Sequence, residues 1–374
     1  MNCVLKKIID LRKGKDIIID TTNSNRYRVV VNEQNGTKTA YYFSTPIYNI
    51  NTKKLVGLKF TDNITPRLAG SNSQICFSRN IKMSNANGIC FISLRKHINR
   101  ISDVELHEGE NIILPTTNGF VYKILIKDSF MHSFNIKTNG IFLTTRSNDK
   151  YLALMIDKFT PFICVCAIGT EDSNGYISSP FKISQHKISD SEYVISASKT
   201  NNIGKYFVFE INMYEKKLIQ DTTVESANPT INNVFGSSAY IGTTTEFGEQ
   251  WLYSRIDYKQ MSDIAGCRIN HAIAYMPKLN KSMININAYK VSERFCSFGS
   301  TWDNKKTESN CINHSYGSDR YIIVDITNAI VHEKSKQISA TNGIILKPTK
   351  KNDFVAITTG DSCFLPQIIA INYY

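Results

Sequence analysis

Residues 205–211 read KYFVFEI. Phe207, Phe209 and Ile211 fall on one side of an extended chain, and Tyr206, Val208 and Glu210 on the other. That two-residue period belongs to a half-buried β-strand. Similar short apolar runs recur along the chain: RYRVVV (26–31), TAYYFST (39–45), KLVGLKF (54–60), GICFISL (88–94), FVYKILI (120–126), KYLALMI (150–156) and FICVCAI (162–168). Turn chemistry such as SNGY (173–176) and NNIG (201–204) separates them, because Gly and Asn tolerate positive φ. Many short strands at this spacing predict an all-β protein of tandem antiparallel β-sandwiches rather than βαβ units.

The chain has 374 residues, 42% apolar and 20% charged, enough to bury a core without disulfide or metal staples. Nineteen Tyr and nineteen Phe favour strands. The formal net charge is +12, but the Lys and Arg are scattered and no nucleic-acid-binding motif stands among them. The expectation is a lysine-rich surface and no nucleic-acid partner. The nine cysteines form no C-x-x-C pair, which argues against zinc knuckles and thioredoxin-like redox chemistry. Cys164 and Cys166 share one face of a strand as small buried hydrophobes. No signal peptide is legible in MNCVLKKIIDLRKGKD, and no run of eighteen apolar residues offers a membrane span.

Three segments are expected: an N-terminal arm, 1–24; a β-rich region, 25–218, with room for two small sandwiches; and a second region, 219–374, after a Ser/Asn/Gly/Pro-rich opening. In YIIVDITNAIVHE (321–333), Ile322, Val324 and Ile326 alternate inward while Asp325 faces away. A helix then starts, capped by Thr327 or Asn328. Ile369, Ile371 and Tyr373 give a closing strand of the same period.

From Asp221 onward the chain resembles the DNRLRE domain, a carbohydrate-binding-module-like β-sandwich. The resemblance rests on seven short motifs in order: DTTV (221–224), NPTINNVFGSS (228–238) with AYIG (239–242), WLYSRIDY (251–258), STWDN (300–304), the 321–333 segment, TNGIILKP (341–348) with DFVAITTGD (353–361), and LPQIIAINYY (365–374). It departs from the family at His332, where Trp is common, and in a long loop carrying Cys311 and His314. The resemblance implies a jelly-roll-like C-terminal sandwich whose structural anchors are Trp302, Asn304, Asp325, Thr327, Gly343 and Pro366. Trp302 is expected to plug one end of it, burying about 200 Å2. Sandwiches of this kind often hold one structural Ca2+, for which Asp221 and the loop near Asn233 are the candidate ligands. Residues 25–218 resemble the β-rich region preceding such domains in RHS-type and wall-associated bacterial proteins, on TKTAYYFSTPIYNINTKKLVGLKFTDN (37–63) and IGTEDSNGYIS (168–178). No YD repeats are present, so the delivery role of those giants is not carried over.

The sequence shows no G-x-S-x-G, H-E-x-x-H, P-loop or dinucleotide fingerprint. Glu171 to Gly175 fails the spacing of a calcium loop and reads as a turn. The resulting expectation is a non-enzymatic structural component of an extracellular assembly, homo-oligomeric and without cofactor beyond that Ca2+. Made in the cytoplasm, it would function as a phage virion decoration, fibre or tail part, or in a spore or cell-surface layer. The alternative is an adhesin binding cell-wall glycan through aromatics, with Tyr240, Trp251, Tyr253 and Tyr316 as the candidate platform. A polysaccharide hydrolase or lyase is the third reading.

Overall fold

The computed structural model describes residues 18–25, 27–45, 60–61, 65–66, 74–78, 80–101, 105–116, 118–127, 132–139, 144–197, 204–214, 217–315, 320–339, 341–350 and 353–374. The protein is all-β, and the sheets are antiparallel. It divides into two units. One takes Leu58–Glu215 with Phe235–Ser238; the other takes Met1–Gly57, Lys216–Val234 and Ala239–Tyr374.

In the unit built on Leu58–Glu215, a six-stranded sheet runs Ile183–Ser189, Glu192–Ala197, His132–Thr138, Gly88–Ser93, Asn80–Asn85, Gln74–Phe77. Opposite it stands a larger sheet centred on Pro161–Glu171, Tyr206–Met213 and Gly119–Leu125. Phe207, Phe209 and Ile211 point between the sheets, as their period requires, and meet Phe134 and Ile195 of the six-stranded sheet in one core. This is one sandwich, where the sequence left room for two: the apolar face of each sheet is covered by the other, giving a single interior.

The strand expected to be half-buried is buried on both faces, with Val208 and Glu210 as enclosed as the phenylalanines. Phe235–Ser238 supply cover on the outer face. Cys166, opposite Glu210 in the register, donates its Sγ–H to the Phe235 carbonyl at 3.0 Å, and the Phe235 ring meets Tyr151 edge-on at 5.8 Å. Cys164 and Cys166 are both buried. The turn at 172–176 is a plain one, with the Asp172 carboxylate accepting from the amides of Asn174 (2.8 Å) and Tyr176 (3.0 Å).

The other unit is also a sandwich. One sheet runs Ile18–Asn25, Arg28–Asn32, Lys38–Phe43, Ile368–Tyr373, Ile269–Pro277, Tyr321–Asp325. Its partner runs Glu308–Ser315, Ile286–Val291, Ile344–Pro348, Gly248–Ile256, Ser238–Thr244, Phe354–Thr358, with Ile219–Glu225 also paired to Gly248–Ile256. Ile322, Val324, Ile326, Ile369, Ile371 and Tyr373 all reach the shared core, where Ile241, Leu252, Leu346 and Ile357 come from the second sheet.

The N-terminal strands correct the segment boundaries. Arg28–Asn32 and Lys38–Phe43 do not belong with the region up to 218. Lys38–Phe43 pairs residue for residue with Ile368–Tyr373, from Lys38↔Tyr373 to Phe43↔Ile368. Ile18–Asn25, expected within or beside an arm, is a strand on Arg28–Asn32; the rest of the expected arm, 1–17, lies outside the described residues. After the other unit the chain pairs into this one again with strand Ile219–Glu225, antiparallel to Gly248–Ile256. Asn372 fastens the closure by donating its Nδ2–H to Thr37 Oγ1 (3.0 Å) and Thr39 Oγ1 (3.1 Å).

Candidate functional site

The second sheet of this sandwich carries a small apolar cluster on the face turned away from the main core. Val224, Tyr253, Val291, Phe295 and Ile345 form its floor, and Trp251 and Trp302 pack over them, half-buried. Trp251 arrives on strand Gly248–Ile256, whose alternation sends Leu252 to the core and its neighbours outward. Trp302 arrives on a loop held by backbone and amide bonds. Asn304 accepts from Thr301 N (2.8 Å) and donates to Gly299 O (2.9 Å). Asn232 donates to the carbonyls of Ser297 (2.7 Å) and Ser300 (2.8 Å), and Asp303 N reaches Pro229 O at 3.0 Å.

The two indoles stand 4.9 Å apart, tilted by 50°. Trp251 Nε1 donates to Glu249 Oε1 at 2.8 Å. Lys347 Nζ lies 3.6 Å from the Trp251 ring centre and Lys305 Nζ 4.4 Å from that of Trp302. A tilted aromatic pair contributes about 0.5–1.5 kcal/mol beyond its area, and a cation over a ring about 0.5–2 kcal/mol, more as it is desolvated. Glu308 holds Lys347 at 2.6 Å, and that hydrogen bond keeps the Glu308 carboxyl below its usual range. The result is a ledge of two indoles, each with an ammonium group over its ring.

This placement corrects two sequence expectations. Trp302 does not plug the end of the main core; it lies on the outer face of a sheet, because its loop folds back over strand Gly248–Ile256. The expected platform is not assembled either. Tyr240 is buried against Phe354 (5.6 Å), and Tyr253 is fully buried with its hydroxyl donated to Lys306 O at 2.7 Å. Tyr316 lies outside the described residues. Of the three described, only Trp251 faces outward, and its partner is Trp302.

The remaining anchors have structural work. Asp325, exposed, accepts from Thr327 N at 2.9 Å and so caps the short helix Thr327–Ile330 from two residues upstream. Thr327 is therefore the first helical residue and not the cap; its Oγ1 accepts from Ala272 N at 2.8 Å. Gly343 has φ +108°, and a Cβ there would stand 2.7 Å from Ser254 O and 2.8 Å from Phe295, so only glycine fits. Pro366 is buried ahead of the last strand. Near Thr327 an open groove of about 900 Å3 is lined by Arg268, Lys290, His332, Glu333 and Lys336, more polar than apolar.

Asp221 lies in a different setting. Its carboxyl is buried, accepts from Gly360 N at 2.5 Å and meets the carboxyl of Asp361, which pairs with Lys217. Burial, then the charge of Asp361, pushes Asp221 far above the usual carboxylate range; burial also raises Asp361, opposed by Lys217. Asn233 instead donates to Thr223 O at 3.2 Å. The residues present do not fit the calcium ion expected there, which takes six to eight oxygens: the Lys217 ammonium sits on the Asp361 carboxyl, and Asn233 turns its amide to Thr223. Among the described residues no cluster of three His, Cys, Asp or Glu side chains could hold a metal.

A pH dependence follows. A carboxyl whose folded pKa is raised contributes fully below its unfolded value, near pH 4, and that contribution is lost as pH rises through the folded pKa. The parent protein should therefore lose stability relative to Asp221→Asn between pH 4 and 8, by at most about 1.4 kcal/mol per pH unit. Urea midpoints at pH 4, 6 and 8 check this; parallel lines for the two proteins would contradict a buried neutral Asp221.

Among the described residues no helix is long and apolar enough to cross a membrane. Compared with known proteins, the chain matches no family model and no curated protein.

Proposed function

We propose that the protein is a non-enzymatic component of an extracellular assembly, docked through the tryptophan ledge of its second sandwich. A virion decoration, fibre or tail part is the first form of this reading, and a spore or cell-surface layer the second. The observation that carries it is the half-buried Trp251–Trp302 pair with Lys305 and Lys347 over its rings. The indole surface left open beside the ammonium groups offers apolar contact to the C–H faces of sugar rings, and the Lys305 ammonium attracts acid substituents. A cell-wall glycan carrying acidic groups is the ligand this chemistry suits, and the net charge of +12 favours the encounter. The likeness of residues 221–374 to the DNRLRE domain supports a carbohydrate-facing role on the same reading, with a homo-oligomer presenting several ledges at once.

Co-sedimentation with purified cell walls tests it. Trp302→Ala and Trp251→Ala should each weaken binding by about tenfold or more, as truncation of an aromatic hot spot does, with the fold retained. Tyr240→Phe, a change within a buried ring contact, should leave binding unchanged. Absence of wall binding by the intact protein would end the glycan reading. Release of new reducing ends from the walls would favour the hydrolase alternative instead.

A further inference from the structure

The Lys217, Asp361 and Asp221 side chains form a group that the ledge does not use. Lys217 precedes strand Ile219–Glu225, on which Asp221 sits, while Asp361 lies in the turn after strand Phe354–Thr358. Lys217 and Asp361 are 144 positions apart in sequence, and their side chains are only 13% and 10% exposed. The turn is held rigidly. Asp361 N donates to Thr359 Oγ1 (3.1 Å), Ser362 N to Thr359 O (3.3 Å), and Thr358 Oγ1 to Leu365 O (2.8 Å). Gly360 lets the turn press on the strand, since a Cβ there would stand 2.9 Å from Ile219 Cβ. Three reactive groups are thus fixed together in a dry place: an amine, a carboxyl in contact with it, and a second carboxyl hydrogen-bonded to the first.

We propose that this triad is a self-modification site at which Lys217 Nζ and the Asp361 side-chain carboxyl condense to an isopeptide bond, with Asp221 as the proton-transferring residue. Removing charge from a low-dielectric site favours the neutral pair over the ion pair. Moving one proton from the ammonium of Lys217 to Asp361 gives an amine and a carboxylic acid, the two forms that react. The amine lone pair attacks Asp361 Cγ while Asp221 donates its proton to the carbonyl oxygen. The tetrahedral intermediate then returns that proton to Asp221, the nitrogen gives up one hydrogen to the departing hydroxyl, and the C–O bond breaks. One C–N bond forms, one water leaves, no oxidant or reductant is needed, and Asp221 ends as it began. Fixed contact between amine and carboxyl supplies the effective concentration that this condensation lacks in water.

Intact mass spectrometry of the purified, folded protein tests this. The expected mass is one water, about 18 Da, below the sequence mass, with a branched Lys217–Asp361 peptide after digestion. Lys217→Arg and Asp361→Ala should restore the full sequence mass of each variant. Asp361→Asn should still form the amide, losing ammonia in place of water. Asp221→Ala should leave the amine and Asp361 unlinked in a folded protein, as circular dichroism checks. A parent protein at full sequence mass overturns the proposal outright. A water loss that survives Asp221→Ala overturns the role of Asp221, and one that survives Lys217→Arg places the link elsewhere and overturns the assignment.

Discussion

Phe209→Ala is expected to destabilise the sandwich built on Leu58–Glu215 by about 4 kcal/mol. Phe209 is fully buried at the centre of strand Tyr206–Met213. Its ring meets Phe134, from the opposite sheet, edge-on at 5.2 Å, and Phe181 at 5.2 Å. Truncation removes its transfer energy and both aromatic contacts, and it leaves a void between two sheets whose backbones are fixed by their own ladders. The loss should appear as a melting temperature lowered by roughly 10 °C for that unit, with an unchanged denaturant slope. Phe209→Leu should cost about half as much. A loss below about 1 kcal/mol for the alanine would mean that this ring does not bridge the sheets.

Gly242→Val should be nearly as damaging to the other sandwich, by at least about 3 kcal/mol. Gly242 has φ +128°, which a β-branched residue avoids, and a Cβ there would stand 2.0 Å from Asp353 O and 2.7 Å from Phe354 Cα. The obstacle is backbone, so no rotamer change relieves it. Strand Phe354–Thr358 would have to move off its neighbour and take the buried Val355 and Ile357 with it. Hydrogen exchange should show amides 354–358 losing protection first, while amides of Tyr206–Met213 keep theirs.

Much of the fold is legible in local patterns. The alternation of Phe207, Phe209 and Ile211, and that of Ile322, Val324 and Ile326, predicts which side chains reach the two interiors. Alternation reports only that a face is covered, not what covers it. Val29, Val30 and Val31 are all buried because their strand lies within a sheet completed by residues more than three hundred positions later, and no local period encodes that pairing. Tyr253 and Tyr240 looked like surface aromatics because a strand shows its outward residues without the loops that later lie over them. The loop with Trp302 covers one such face, so the indole becomes the outward residue and the tyrosine the floor. Lys217 and Asp361 carry no shared motif; only folding brings them together.

The closure of strand Lys38–Phe43 by strand Ile368–Tyr373 has a consequence for biosynthesis. Thr37 and its partner Asn372 are separated by 335 positions. At a ribosomal pace of about 10 residues per second, the early hairpin waits roughly half a minute for its neighbour to be made. The intervening Leu58–Glu215 unit holds nearly all of its own strands and can settle during that interval, whereas the hairpin has an unpaired edge until strand Ile368–Tyr373 has been made. Slowing elongation between codons 44 and 368 should therefore raise the yield of aggregated nascent chains, and guarding that hairpin is the step at which a chaperone would help most.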